Sequence, residues 1–403
     1  HLTSVKEEVL MPALKLHEQV DYATANSVQG TYFSYGISTS GGIGAANNYL
    51  PVYGSVSLAA FEWVPYSFGQ NKSKIELSRI ELNNVTLDAD NDKFQHQIRV
   101  ADTYLALVAL HQLSSVAKTN LQRARTMKNA TTALAKSGMR PGVDSSLANS
   151  DMSKAVLNLN EAEKNETNAK IILANLIGQE TITFIIDTTT FLNKNPAIQN
   201  DTSYSSLPLI KLFQSRIEFS RAKEKLISRS YSPKISLLSG VWGRGSGMGV
   251  PAGTISDASF SGAKLSRYDY AVGLAFTFNI LDYPRMRSQL LSQQALTSAA
   301  SEEYNQVALN TRSTIATANA QIEFARKQKL ETPIQYDAAS NAFNQSKARY
   351  ESGLATLTEM QQTFYLLNSA AADKVIANTN LWRAFLQKAA STGNLSEFLN
   401  QIK

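Results

Sequence analysis

The chain has 403 residues, room for two or three ordinary domains, yet only 18% of them are charged and the polar remainder is rich in Asn, Gln, Ser and Thr. Lys and Arg number 39 against 33 Asp and Glu, a net charge of +6 with no long run of like charges, which speaks against nucleic acid as a partner and against an anionic-lipid patch. The absence of cysteine excludes a disulfide framework, a thiolate nucleophile, a Cys metal site and a lipidation cysteine within this sequence, and the absence of any stretch of about 18 apolar residues excludes a transmembrane helix.

The opening residues HLTSVKEEVL lack the basic and apolar regions of a signal peptide. A helix is expected over about 8–28, then a strand at about 30–38, the loop STSGGIGAANN at 38–48 and a second strand at about 55–64. Residues 70–137 contain no glycine and predict one continuous helix. At about 1.5 Å per residue it reaches on the order of 100 Å, against roughly 11 or 12 residues for the usual globular helix. A turn at Ser137-Gly138 leads into a returning helix, 144–178. After an intervening segment, 179–207, the order recurs. It runs through a helix at 208–230, a strand at 234–242, the loop GRGSGMGVPAGTISDASFSG at 243–262 and a strand at 269–280. A glycine-free helix follows at 285–352, interrupted only by Pro333, then a turn at Ser352-Gly353, a returning helix at 358–393 and a short end, 394–403.

This recurrence is a tandem repeat. FEWVPYSFGQ (61–70) resembles FTFNILDYPR (276–285) at an offset of 215 residues, with Phe61 on Phe276, Trp63 on Phe278 and Phe68 on Tyr283. KSGMRPGVD (136–144) falls on ESGLATLTE (351–359), and Gly178 on Gly393, at the same offset. Upstream, MPALKL (11–16) matches LPLIKL (207–212) at the smaller offset of 196, the difference being absorbed by the longer second loop. The repeats are therefore 1–193 and 194–403. A returning helix and an upstream helix together nearly equal one descending helix, so two short helices can stack beside one long one. Such hairpins are too thin for a globular core, and an apolar stripe such as Leu105, Val108, Leu113 and Val116 must be buried between helices.

Four strands at matching places in the two repeats need a further explanation. In YAVGLAFTFNI (270–280), Tyr270, Val272, Leu274, Phe276, Phe278 and Ile280 share one face, and Ala271, Gly273, Ala275, Thr277 and Asn279 the other. An outer-membrane strand needs about 9–11 residues with this alternation. Four strands cannot close a barrel, since the smallest need about eight, so lipid-spanning strands at 30–64 and 234–280 require several chains to share one barrel. Trp63, Tyr66, Phe68, Tyr268 and Tyr283 are placed for an interfacial girdle, and Pro65 and Pro284 lie just after the second strand of each repeat.

The two-fold repeat, the strand-to-helix junctions VPYSFGQNKSK and ILDYPRMRSQ, and the tip turns AKSGMRPGVDSS and ARYESGLATLTEMQQ make nearly the whole chain resemble the outer-membrane efflux proteins of the TolC type. The resemblance implies a mainly α fold with a β membrane part: an α-barrel of long antiparallel hairpins and a trimer sharing twelve strands. It implies a homotrimeric duct in the outer membrane of a Gram-negative bacterium, its helices in the periplasm. The implied partners are outer-membrane lipid, a periplasmic adaptor and an inner-membrane transporter of the RND or ABC class. The tip residues Ser137, Gly138, Met139, Ser352, Gly353 and Leu354 would dock the adaptor. The family's entrance is narrowed by acids after the second tip turn and held by a tyrosine and an arginine of the second hairpin bonded to an aspartate of the first. By position, Tyr350 matches that tyrosine, Asp144 the aspartate and Glu359 the first acid. Ala355 stands where the arginine would be and Gln362 where a second acid would be. The arginine latch is therefore expected to be missing and the acidic ring single. Glu359 and Asp144 also read as first-turn acids that complement a helix dipole.

Other chemistry is poorly supported. His1, His17, His96 and His111 lack metal-ligand spacing, GRGSGMG opens no helix and so lacks a dinucleotide context, and no G-x-S-x-G elbow occurs. No enzyme activity and no cofactor are expected. Two other classes stay open: a coiled-coil stalk or surface adhesin without a pore, and an open diffusion porin, in which the long helices would have no role.

Overall fold

A computed structural model describes residues 1–24, 49, 51–180, 183–188, 191, 194–198, 203–247 and 259–402. The elements in chain order are α1 (Leu2–Leu10), β1 (Ala13–Ala23), β2 (Val52–Tyr66), α2 (Gln70–Lys136), α3 (Gly142–Leu176), α4 (Pro208–Ser230), β3 (Lys234–Ser246), β4 (Arg267–Thr277), α5 (Tyr283–Glu351), α6 (Leu357–Thr392) and α7 (Leu395–Leu399). Single turns of 3-10 helix lie at Ser259–Ala263 and Ile280–Asp282.

The expected helix at 8–28 is a correction. Helix α1 stops before Pro12, and β1 follows directly. Leu14, Leu16, Val20 and Tyr22 alternate with Lys15, His17, Gln19 and Asp21, a period of two that a helix would scatter round its surface. MPALKL and LPLIKL therefore fold differently, one entering a strand and the other entering α4. The expected strand at 30–38, the whole first glycine-rich loop at 38–48 and residues 248–258 of the second lie outside the described residues. Two smaller departures concern proline and strand length. Helix α5 runs through Pro333, which removes the donor for the Lys329 carbonyl without ending the helix. Strand β4 ends at Thr277, so Phe278 and Ile280 fall beyond it.

The repeats are not the compact units. One unit comprises 1–84 with 216–300, the other 85–215 with 301–403, so each repeat contributes to both. The first unit holds a four-stranded antiparallel sheet in the order β1-β2-β3-β4. Its register puts Leu14 opposite Phe61, Leu16 opposite Ala59, Val241 opposite Tyr270, Ser239 opposite Val272, Leu237 opposite Leu274 and Ile235 opposite Phe276. Since paired residues share a face, these side chains, all but Ser239 apolar, form one largely apolar surface. The other face carries Lys15, His17, Gln19, Asp21, Glu62 and the Arg244–Asp269 ion pair at 3.0 Å. The apolar face is bare: Leu16 and Tyr270 are each 82% exposed and Leu274 77%. Pro65 sits in the irregularity where the β2–β3 register shifts between Trp63 and Tyr66, inside β2 rather than after it. Pro284 occupies the first turn of α5, where its missing N–H costs nothing. Beside the sheet, Gln293 donates to Ser220 (2.8 Å), whose hydroxyl also meets Thr297 (2.9 Å), a buried polar tie between α4 and α5.

In the second unit the helices bury two main clusters. One gathers Leu105 and Val108 of α2 with Phe191, Trp382, Phe385 and Phe398, with Phe191 and Trp382 edge to face at 5.2 Å. Leu113 and Val116 of the same expected stripe are only half-buried. The other cluster lies towards the hairpin turns and joins Leu121, Ala124 and Met127 of α2, Ala155 of α3, Phe343 and Tyr350 of α5, and Met360, Phe364 and Leu367 of α6. Its alanines let the helices approach closely. Phe385, fully buried, and Ile185, 99% exposed, give a direct contrast. Phe385→Ala should cost about 3–5 kcal/mol of unfolding free energy in a urea titration, and Ile185→Ala close to nothing.

Candidate functional site

The two tip turns are built alike. Helix α2 ends at Lys136 and α5 at Glu351, and each is followed two residues later by a glycine in the left-handed region, Gly138 at φ +73° and Gly353 at φ +82°. Only glycine takes this conformation without a Cβ penalty. The chain then closes back on the helix it has left: Met139 N–H bonds Leu134 O (3.0 Å) and Leu354 N–H bonds Arg349 O (2.8 Å). Thr356 caps α6 by accepting from Glu359 N–H (3.2 Å), and its hydroxyl lies 3.3 Å from the Glu359 carboxylate. Glu359, the N3 acid of α6, is thus held against its N-cap hydroxyl and remains exposed, as does Gln362. Asp144 lies in the first turn of α3. Ser137, Gly138, Met139, Ser352, Gly353 and Leu354 are all exposed at the turns.

Tyr350 connects the hairpins. It is 1% exposed, and its hydroxyl donates to Asp144 Oδ2 at 3.1 Å. Burial, reinforced by the Asp144 carboxylate, holds its phenol above the ordinary range. Arg140, from the first tip turn, donates through Nη2 to Tyr350 O (2.7 Å) and Ala355 O (3.0 Å), and its guanidinium carbon lies 4.5 Å from the centre of the Tyr350 ring. Two turns further along α3, the buried Asp151 accepts from Gln361 Nε2 and from the Tyr365 hydroxyl, each at 2.5 Å, joining α3 to α6 a second time. A second buried carboxylate, Glu166, bonds His111 (2.9 Å) and Lys170 (2.7 Å). Burial works to raise its pKa, yet the two bonds bring it below the usual value.

The fold has counterparts among known proteins. Residues 250–394 match the sequence model of the outer membrane efflux protein family. No curated protein matches the chain in sequence. Among solved structures, the outer-membrane channel OprN is similar at TM-score 0.75 and 17% identity, over 98% of this chain and 84% of that one. The outer membrane protein VceC of Vibrio cholerae is similar at 0.74 and 16%, over 97% and 90%. The Campylobacter jejuni CmeC outer membrane channel is similar at 0.77 and 12%, over 98% and 81%. The chain has the outer-membrane efflux protein fold. The matched proteins are channels, not enzymes, and no metal-ligand cluster occurs among the described residues.

Within that efflux fold, Tyr350 and Asp144 come together, while Glu359 bonds its own cap and reaches neither. Arg140, Asp151, Gln361 and Tyr365 escaped the sequence reading. For Arg140 a signal existed: at the 215-residue offset it falls on Ala355, where an arginine was missed. For Asp151 none did, because one aspartate on a long polar helix looks like any other. The Asp151 bond pushes the Tyr365 phenol up to about 12, with burial adding to it. Because the folded value lies above the unfolded one near 10, the stability this contributes is complete below pH 10 and lost as pH rises through 12. In a spectrophotometric titration Tyr365 should ionise last among the solvent-accessible tyrosines, and Asp151→Ala should return it towards the ordinary range.

Proposed function

We propose that the chain forms, as a homotrimer, a gated exit duct through the outer membrane. A periplasmic adaptor would dock on the tips and an inner-membrane transporter of the RND or ABC class would supply the cargo. The observation that carries this reading is the sheet. Among the described residues, strands β1 and β4 each pair on one side only, and the face they share with β2 and β3 is largely apolar, with Leu16, Tyr270 and Leu274 bare. No helix among the described residues is long and apolar enough to cross a membrane, so strands are the candidates for the task. Three chains would join edge to edge into twelve strands, leaving the apolar face to lipid and the face with Lys15, His17, Glu62 and the Arg244–Asp269 pair to the lumen. Such a duct makes and breaks no bond, and its selectivity comes from pore width, lining charge and partner.

Tyr350 and Asp144 would hold the tips inward, and three symmetry-related Glu359 carboxylates would favour cations at the entrance, with Gln362 adding no charge. The capping of Glu359 is compatible with this, because the Thr356 hydroxyl holds its carboxylate beside the first turn of α6. A soluble rod needing no detergent would favour a stalk instead. In planar bilayers the protein should give stepwise ionic current, and Asp144→Ala combined with Tyr350→Phe should raise the single-channel conductance; an unchanged conductance removes the latch. A lipid-confined label should modify cysteine placed at Phe276 and spare cysteine placed at Thr277.

A further inference from the structure

We propose that Arg140 supplies, from the first hairpin, the arginine that the second hairpin lacks, and acts as a backbone clamp on the second tip turn. This rests on the gated-duct reading above and names the residue that regulates the entrance.

The repeat makes Arg140 and Ala355 equivalent. Ser137-Gly138 falls on Ser352-Gly353 and Asp144 on Glu359 at the same offset of 215 residues, with no gap between. Ala355 has no side-chain donor and is buried. Arg140 reaches across to Ala355's own carbonyl at 3.0 Å. The arginine has in effect changed repeats while still acting at position 355.

Chemically the grip suits a guanidinium. Tyr350 O is one of the last-turn carbonyls of α5, which have no helical N–H donor and carry the negative end of the helix dipole. It already accepts from Gly353 N–H (3.1 Å), so Arg140 adds a charged donor to a carbonyl committed to the turn. The same Nη2 spans this carbonyl and that of Ala355, on either side of Gly353. The guanidinium also lies against the Tyr350 ring, an arrangement attractive to a cation. Arg140 and Asp144, four residues apart, therefore hold Tyr350 at its backbone, ring and hydroxyl. A lysine would keep the charge, but its compact ammonium lacks the planar fork that serves carbonyls and ring together.

Two consequences separate a clamp from an ordinary stabilising contact. Because Arg140 acts on the main chain, removing Asp144 alone leaves the second tip turn anchored. Removing Arg140 frees the turn even while the Tyr350 hydroxyl bond persists, and removing both does more than either. The 403 residues contain no cysteine, so Ser137→Cys and Ser352→Cys, both exposed, offer unique sites within them for a spin-label pair across the tips.

The test uses full-length protein, with doubly labelled protomers diluted into unlabelled ones. Arg140→Ala should give a longer and broader tip-to-tip distance distribution and a several-fold higher single-channel conductance, with the urea unfolding midpoint of the helical part little changed. Arg140→Lys, which guards against misfolding of the alanine variant, should fall between alanine and the natural protein on both readouts. Adding Arg140→Ala to the Asp144→Ala, Tyr350→Phe pair should raise the current further. Unchanged distance and current in Arg140→Ala, or a lower unfolding midpoint with the distance unchanged, overturns the clamp. The two readings fail separately. If the natural protein carries no current yet Arg140→Ala still parts the tips, the duct falls and the clamp stands. If a current is present but neither readout responds to Arg140, the clamp falls and the duct stands.

Discussion

A β-strand leaves the N–H and C=O groups of one side unpaired unless a neighbour takes them, and in hydrocarbon no water can do so. Among the described residues β1 and β4 are such edges, and the sheet between them carries a largely apolar face. The rest of the architecture answers that demand. In the duct proposed above, closure by copies of the same chain would impose rotational symmetry and repeat every tip contact around one axis. A bond as small as Tyr350 to Asp144 would then act once per copy on a single opening.

The long helices need one another for a related reason. Their apolar positions are too sparse and too rich in alanine to form a globular core, so burial depends on neighbouring helices lying alongside. At the tip cluster the buried side chains come from α2, α3, α5 and α6 together. Polar ties are laid over this packing at intervals, at Tyr350–Asp144 and then at Asp151 with Gln361 and Tyr365. Packing sets the spacing of the helices, and the hydrogen bonds set which residue faces which. Separating the hairpins therefore means giving up apolar contact and leaving buried polar groups unpaired at the same moment.

Much of this was legible in the sequence, for reasons that differ by element. The glycine-free runs fixed α2 and α5 because nothing in them ends a helix, and the tip glycines marked the turns because their backbone angles exclude other residues. Strand β4 declared itself through strict alternation, whereas β1 hid because Leu10 and Leu14, four apart, also satisfy a helical spacing and Glu18 interrupts the apolar face. Pro65 was displaced by a bulge, which no residue pattern announces. At the tips, Tyr350 and Asp144 followed from family position. Arg140 did not, since its partners are carbonyls, which every residue possesses and no sequence distinguishes.

The register of the sheet carries one more piece of information. From the level of Ile235 and Phe276 to that of Val241 and Tyr270 the shared face is mostly large and apolar. At the next level Ser57 donates to the Glu18 carboxylate, and beyond it the Ser55 hydroxyl bonds Gly262 O (2.9 Å), so the segment leading to β4 covers the face there. Seven residues of strand at about 3.3 Å each give roughly 20 Å of bare apolar height, before any tilt shortens it. In the proposed duct the Glu18–Ser57 pair would be a depth mark written into the sheet. Shifting that carboxylate along β1 by two residues, which keeps it on the same face, would then make such an assembly ride higher or lower in its bilayer.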